Sequence, residues 1–255
     1  MSAIDIIGLL VPLTWFAMLG LEALAPARRF PAQRGWRWIG LGFMLMLAVV
    51  TSIVPLLIPQ DWLARYRLLD GTGLGVIGGT IVGYLVLSFL SYWWHRTAHR
   101  VDLLWRGFHQ IHHAPQRVDM AGAALSHPTE AVIFGLLSIV STTLVLGLDP
   151  LAAALTGYVA SFYSFFQHWN VRTPRWLGLL IQRPEAHCLH HERGIHARNF
   201  GDLPVWDMLF GTFANPADFE GAVGFDAPAD RRLGAMLGFV DVNRPLHGSG
   251  TRGAF

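Results

Sequence analysis

The segment that decides the fold is WHRTAHRVDLLWRGFHQIHH, residues 94–113, which follows directly on a long apolar run. It holds five of the twelve histidines in the chain, and HCLHH, residues 187–191, holds three more. Residues four apart on a helix share a face, so His95 and His99 are predicted to point the same way. Two further pairs have this spacing: His109 with His113, and His187 with His191. Each segment is therefore predicted to present a row of imidazoles.

The composition around these segments is that of a membrane protein. Of the 255 residues, 53% are hydrophobic and 14% are charged, and the mean hydropathy is +0.39. Such values are typical of chains with several membrane-spanning helices. The net charge of +2 is small, so no nucleic-acid partner is expected. Cys188 is the only cysteine, which excludes an intrachain disulfide and leaves at most one thiolate for a metal.

The apolar runs predict an all-α fold, an integral membrane helical bundle of about five transmembrane spans. About 20 residues cross the hydrocarbon core, and no segment alternates as a barrel strand would. The predicted spans are residues 4–24, 38–58, 73–94, 129–148 and 151–166.

The arginine distribution predicts the orientation of this bundle. The loop at residues 25–37 carries four arginines and no acid, and positive loops stay in the cytoplasm. The N-terminus is then expected outside, with the histidine segments forming a helical cap on the cytoplasmic face. Everything after Asn170, including the C-terminus, is expected to be cytoplasmic.

The histidine motifs predict a metal centre. Neutral imidazole is the commonest side-chain ligand for transition metals. One zinc ion takes four ligands as a rule, so the number of candidates here fits two metals with four or five imidazoles each. A lone histidine at a membrane surface usually just caps a helix, but the repeated HxxHH motif argues against that interpretation for the set. The candidate ligands are His95, His99, His109, His112, His113, His168, His187, His190 and His191.

Five segments together resemble one family: YWWHRTAHR, LLWRGFHQIHHAP, FFQHWN, RPEAHCLHHERGIHARNFG and WDMLFGTFANP. They resemble the fatty acid hydroxylase/sterol desaturase superfamily of integral membrane di-metal oxygenases. The resemblance implies that the nine histidines hold two iron ions at the cytoplasmic face, although zinc can occupy such a site in a purified protein. It implies O2 as co-substrate and hydroxylation or desaturation of a C–H position in a membrane lipid, either a fatty acyl lipid or a sterol-like molecule.

The resemblance also suggests a division of the chain and two departures. Residues 1–72 would form an N-terminal transmembrane hairpin with an external loop, 73–216 a fatty acid hydroxylase-like catalytic domain, and 217–255 a C-terminal cytoplasmic tail. Some family members have a histidine where this chain has Ser164, so one ligand is expected to be lost or replaced by water. No cytochrome b5-like heme module is recognisable, so electrons are expected from a separate reductase or redox carrier.

Other polar residues near the motifs are expected to orient the ligating histidines without binding the metal themselves. This set is His127, His196, Asn199 and Asp207. For His127 ligation and helix capping both stay open. The acids Asp119, Glu185 and Glu192, like Asp207, could accept the second ring N–H of a ligating histidine, lie solvated on the surface, or pair with an arginine. Cys188 and His247 are expected to take no part in the site.

Two other functions compete with the oxygenase interpretation. A membrane zinc hydrolase would need a catalytic acid beside an open metal position, usually in HExxH, and the chain has no such motif. A metal transporter or metal-binding protein would hold its ion near the bilayer midplane, whereas these histidines gather at one face. The sequence leaves open the lipid, the carbon attacked, the electron donor and the oligomeric state.

Overall fold

The computed structural model describes residues 1–243, so His247 lies outside the described residues. The described chain is helical, and it has no β-strand beyond an isolated bridge between Glu192 and Val223. The α-helices are α1 (Ala3–Leu24), α2 (Trp36–Leu57), α3 (Gln60–Arg65), α4 (Gly75–Ala98), α5 (Asp102–Leu104), α6 (Gln110–His113), α7 (Met120–Ala123), α8 (Pro128–Ile139), α9 (Pro150–His168), α10 (Pro184–His190), α11 (Pro204–Leu209) and α12 (Leu233–Leu237).

Turns of other helix types join or extend several of these helices. The 3₁₀ turns are Gly71–Leu74, Arg175–Leu179 and Ala229–Arg231, and the π-helical segments are Trp105–His109 and Val140–Val145. The π-segment Trp105–His109 runs directly into α6, which places it next to the HxxHH motif. Single π-turns of this kind are frequent at functional sites.

The prediction of an all-α membrane bundle is confirmed, and four of the predicted spans are apolar enough to cross a membrane by composition. Within residues 1–243, four helical segments are long and apolar enough to cross a membrane: Ala3–Leu24, Trp36–Leu57, Gly71–Ala98 and Pro128–Val145. The fifth predicted span, residues 151–166, forms α9 but is not among them. The reason is that α9 carries polar side chains such as Thr156 and Gln167, and both are buried inside the bundle.

Small residues let α4 and α9 pack closely. A Cβ atom on Gly83 would lie 2.5 Å from Thr156 Oγ1, and one on Gly79 would lie 2.9 Å from the Ala152 side chain. The contact four residues further along α4 is also four residues further along α9, so the two helices run parallel. Their C-terminal ends, which carry His95 and His168, therefore lie at the same end of the bundle.

The N-terminal hairpin shares its core with the rest of the chain. Trp15 and Met18 of α1 pack with Met44 of α2 and Phe165 of α9. Glu22, near the end of α1, is buried and accepts hydrogen bonds from the backbone N–H groups of Met120 and Asn170, at 3.0 and 2.9 Å. The division of the chain at residues 72 and 216 stays a prediction.

The arginine-rich loop at residues 25–37 lies at the histidine end of the bundle. Arg28 donates to Asp218 at 3.0 Å and lies 3.5 Å from Glu185 in α10, the helix that carries the second HxxHH motif. Arg117, which follows the first HxxHH motif, stacks on Trp36 at the start of α2. The basic loop and the histidines therefore share one side of the bundle, as the alternation of spans predicts.

Candidate metal centre

Nine buried or nearly buried histidines meet at one end of the bundle and form two groups. Within each group, one ring nitrogen per residue lies within 4.8 Å of the corresponding nitrogens of all the others. The five-histidine group contains His95, His99, His109, His113 and His190, and the four-histidine group contains His112, His168, His187 and His191. These are the nine residues that the sequence motifs single out.

Helical spacing explains how the motifs divide between the groups. The pairs four residues apart stay together: His95 with His99, and His109 with His113, in the five-histidine group, and His187 with His191 in the four-histidine group. The middle histidine of each HxxHH motif points elsewhere, because three residues along a helix is a different angle from four. His112 and His190 therefore belong to a different group from the other two histidines of their own motif, so each HxxHH motif contributes to both groups.

The separations between facing nitrogens fit ligands that share an ion. Nε2 of His113 lies 3.0 Å from that of His109 and 3.1 Å from that of His190. Nε2 of His187 lies 3.0 Å from those of His168 and His191. Two imidazole nitrogens at about 2.1 Å from one divalent ion, roughly at right angles to each other, lie about 3.0 Å apart.

The pairing of His112 with His168 tests whether a cation fits. His112 Nδ1–H donates to the Leu125 carbonyl at 2.9 Å, and His168 Nδ1–H donates to the Ser164 carbonyl at 2.7 Å. A carbonyl can only accept, so both protons are on Nδ1 and both Nε2 atoms carry lone pairs. These lone pairs face each other at 3.1 Å.

Protonation of His112 at Nε2 does not relieve this repulsion at neutral pH. Burial and the nearby His109 ring lower the pKa of His112 to about 4, so this ring is neutral near pH 7. Burial lowers the pKa of His109 to about 3. Two facing lone pairs in a dry site are stable when a cation lies between them. The donor set of the four-histidine group therefore fits a transition metal ion.

Acceptors outside the groups fix the orientation of other rings. His95 Nδ1 donates to the Phe200 carbonyl at 2.7 Å, and His190 Nδ1 donates to the Arg198 carbonyl at 2.7 Å. Metal-ligating histidines usually donate their other ring N–H to such an acceptor. His95 Nε2 and both ring nitrogens of His99 are buried with no hydrogen-bond partner among residues 1–243. Buried nitrogens without a partner are costly unless they bind something.

Glu130 is the residue that the motifs did not reveal. Its carboxylate accepts from His109 Nδ1 at 2.6 Å and from the Ser126 hydroxyl at 2.9 Å, and its side chain is 2% exposed. It lies 21 residues after His109 in sequence, inside the predicted fourth span. An acid in a membrane-spanning run is itself a functional signal, and that signal could have found it.

The acids closest to the motifs have other partners. Asp119 accepts from Trp36 Nε1 and pairs with Arg117. Glu185 pairs with Arg183 at 3.1 Å and accepts from Thr173. Of the three interpretations left open for these acids, the arginine partner is the one found for Asp119 and Glu185.

The predicted orienting residues fall into different places. His127 is the N-cap of α8, where its Nδ1 accepts from the Thr129 N–H at 3.2 Å and its Nε2–H donates to the Leu237 carbonyl at 3.2 Å. It belongs to neither group. The ring of His196 packs against the five-histidine group, 4.9 Å from His113 between centroids, and burial lowers its pKa to about 4.

Asn199 and Asp207 act on the backbone rather than on a ring. Asn199 donates to the Ala186 carbonyl at 2.9 Å, which ties its loop to α10. Asp207 accepts from the N–H groups of Phe200 and Gly201, at 2.8 and 2.9 Å. Because the Phe200 carbonyl accepts from His95, Asp207 positions that histidine through one intervening residue.

Ser164 contacts the site only through its backbone carbonyl, which accepts from His168. The group beside it has four imidazoles, and the other group has five. Whether a ligand is lost or replaced by water at Ser164 stays a prediction.

Cys188 is expected to resist thiol reagents in the folded protein. Its side chain is 1% exposed and packs with Val118 and Val223, and burial raises the pKa of the thiol to about 12. We expect no labelling by a maleimide in mild detergent and complete labelling after denaturation in SDS. An Ala217→Cys variant, at an exposed position, should label at once. Rapid labelling of the wild-type protein would contradict the burial of Cys188.

Comparisons with known proteins identify relatives of this chain. The family model described as fatty acid hydroxylase matches residues 80–212, more than half of the chain. Alkylglycerol monooxygenase of Danio rerio is 32% identical over 141 residues, which cover 54% of this chain and 31% of that protein. Ornithine lipid hydroxylase OlsE of Rhizobium tropici is 34% identical over 142 residues, which cover 53% of this chain and 42% of that protein.

A more extended similarity reaches beyond the histidine region. Cholesterol 25-hydroxylase-like protein of Danio rerio is 26% identical over 210 residues, covering 75% of this chain and 82% of that protein. The chain spans less than half the length of the two relatives with higher identity. No solved structure matches.

The region matched by the family model contains all nine histidines of the two groups, and four apolar helices mark an integral membrane protein. The chain belongs to the fatty acid hydroxylase family, within the fatty acid hydroxylase/sterol desaturase superfamily.

Proposed function

We propose that this chain is a membrane-bound non-heme di-iron oxidoreductase that uses O2 to hydroxylate a C–H position of a lipid, with desaturation as the related outcome. The observation that carries the proposal is the division of nine histidines into two groups of five and four. One ion per group uses every histidine of the motifs. The relatives named as monooxygenases and hydroxylases of lipids support the same reaction class.

Iron is the metal that gives this centre its proposed chemistry. Imidazole suits zinc, copper, iron and nickel alike, but an unactivated C–H bond offers nothing to the hydroxide that zinc generates. Two bound iron ions would supply the reductive activation of O2 and the oxidation of the C–H bond. The overall balance is R–H + O2 + two electrons + two protons giving R–OH + H2O. A separate electron-donor protein is therefore part of the proposal.

The protein's own contribution is to hold, orient and shield the ligands. The five-histidine group would hold one ion and the four-histidine group the other, with each ring neutral and its free nitrogen turned inward. The carbonyls of Phe200, Arg198 and Leu125 and the Glu130 carboxylate fix four of the rings. Burial of these rings keeps bulk water from the reacting position.

The orientation of the centre in the membrane is also a proposal. The arginine-rich loop and the histidines lie at one end of the bundle, and positive loops remain in the cytoplasm. We therefore place the site at the cytoplasmic face, with the N-terminus outside and the C-terminus cytoplasmic. At this position a lipid tail could enter sideways from the bilayer while a soluble donor docks from the cytoplasm.

The deciding experiment is metal analysis of protein purified without oxygen, followed by turnover. Iron(II), O2 and a reductant are supplied, and lipids of expressing cells are compared by mass spectrometry. A lipid mass increase of about 16 Da supports hydroxylation, and a decrease of about 2 Da supports desaturation. Both reactions require O2 as the oxidant and a redox cofactor that activates it. Retention of zinc together with a product formed without O2 would refute the oxygenase proposal in favour of a hydrolase. Metal uptake without any lipid product would favour a transporter or metal-binding protein.

A further inference from the structure

Two short helical segments beyond the membrane-spanning helices expose apolar side chains on a common surface. The 3₁₀ turn Arg175–Leu179 packs beside α11. Trp176 and Leu179 are 63% and 58% exposed, and Leu180 just beyond the turn is 62% exposed.

Helix α11 has both exposed apolar residues and buried residues. Val205, Met208 and Leu209 are exposed, and Leu209 reaches 66%. Their spacing of three and four residues places them on one helix face. Pro204 and Asp207 are buried, and Asp207 holds the backbone near His95. An apolar face of this kind is costly in water and indicates another surrounding medium.

The position of α11 on α4 indicates what that medium is. Trp206 donates from Nε1 to the Ser88 hydroxyl at 3.0 Å, and its ring packs on Phe89 at 5.0 Å between centroids. Phe210 packs on Trp93 at 4.8 Å. α11 therefore lies alongside residues 88–93 of α4, before the helix reaches its first histidine.

This part of α4 is at membrane depth. The helix rises about 1.5 Å per residue, so Ser88 lies about 10 Å before His95 along the helix axis. The hydrocarbon core is about 30 Å thick, and a crossing that begins at Gly71 or Gly75 extends to roughly residue 90 or beyond. Ser88 and Phe89 are then inside the core, and α11 is beside them.

The apolar surface of α11 also continues the lipid-facing side of α4. Ile77, Ile81 and Leu85 are four residues apart and exposed, at 77%, 58% and 43%. The next two positions in this series are Phe89 and Trp93, the residues on which α11 packs. The exposed apolar side chains of α11 thus extend the lipid-facing stripe on the N-terminal part of α4.

We infer that residues 175–180 and 204–210 form a membrane collar, with their exposed apolar side chains among the acyl chains of the leaflet on the histidine side. This inference differs from the prediction that everything after Asn170 lies in the cytoplasm, which stays a prediction. Because Asp207 of the collar accepts from the Phe200 N–H, the collar fixes the level of the loop that holds Phe200, and with it the orientation of His95. The inference depends on the membrane-spanning helices and is independent of the reaction proposed above.

The test measures the immersion depth of the collar in lipid. Cysteines are placed at Leu179 and Leu209, with Ala217→Cys as the matched control on the polar surface next to Asp218. Cys188 is buried and stays unlabelled. Each variant carries a nitroxide spin label and is reconstituted in phosphatidylcholine nanodiscs, and its accessibility to O2 and to a water-soluble nickel chelate is measured by electron spin resonance.

We expect the labels at Leu179 and Leu209 to be reached several-fold more by O2 than by the nickel chelate, and the label at Ala217 to show the reverse. Preferential access of the chelate at Leu179 and Leu209 would place the collar in water and overturn the inference. Low access of both reagents with spin–spin broadening would mean that a second copy of the chain covers the surface, which also overturns it. A Leu180→Cys variant replaces either position if that variant does not fold.

Discussion

A His112→Ala variant is expected to lose one of the two proposed metal ions per chain and essentially all of the proposed activity. His112 belongs to the four-histidine group, so its removal leaves three imidazoles there and all five in the other group. Its Nε2 lies 3.1 Å from that of His168, so the substitution removes a nitrogen from the centre of the four-histidine group. Loss of an outer partner costs about 10–100-fold in metal affinity or activity, and loss of a ligand should exceed that range.

The measurement is iron content per chain by mass spectrometry, together with lipid product formation. The matched control is His127→Asn, because His127 belongs to neither group and asparagine is a favoured N-cap residue that should keep α8 intact. This control should retain both ions. Equal loss of metal in the two variants would show that the effect comes from misfolding and would undermine the assignment of His112 as a ligand.

A Glu130→Ala variant is expected to weaken metal binding in the five-histidine group by about 10–100-fold. The Glu130 carboxylate accepts the His109 Nδ1 proton at 2.6 Å, which keeps the lone pair on Nε2 and holds the ring in place. Without an acceptor, the buried Nδ1–H has no partner and the ring can turn. Glu130→Gln keeps an amide oxygen that accepts the same proton, so it should recover most of the affinity.

Competition with a graded series of chelators measures this affinity without depending on turnover. The matched control is Glu192→Gln, an acid that directly follows the second HxxHH motif but has no hydrogen bond to a ring of either group among residues 1–243. We expect its metal affinity to match that of the wild-type protein. If Glu130→Ala also retained wild-type affinity, Glu130 would have no part in positioning His109.

Much of the fold followed from local pattern. An apolar run of spanning length in lipid has to be helical, because its backbone finds no other hydrogen-bond partners. The long apolar runs therefore predicted the helices that are found. The fifth apolar run was the least distinct, because α9 carries Thr156 and Gln167, which are buried among its neighbours, and so resembles a core helix in composition.

The orienting residues were only partly predictable, because they are far from the motifs in sequence. Glu130 reaches His109 from another helix, and the carbonyl that accepts from His95 belongs to Phe200, which lies 105 residues away. His127 was a candidate by its position alone, and its capping role depends on how α8 begins. The level of α11 in the membrane depended on its packing against Phe89 and Trp93.

The sequence by itself determined which side chains carry the chemistry and which of them share a face. Spacings of four residues on a helix pair His95 with His99, His109 with His113, and His187 with His191, wherever those helices lie in space. Only the tertiary structure decided that the nine histidines divide into groups of five and four. That division depends on the close, parallel packing of α4 and α9 at Gly83, and on Glu130 and Phe200, which hold rings from distant parts of the chain. A spacing is a property of one helix, whereas a shared ion depends on the distance between helices.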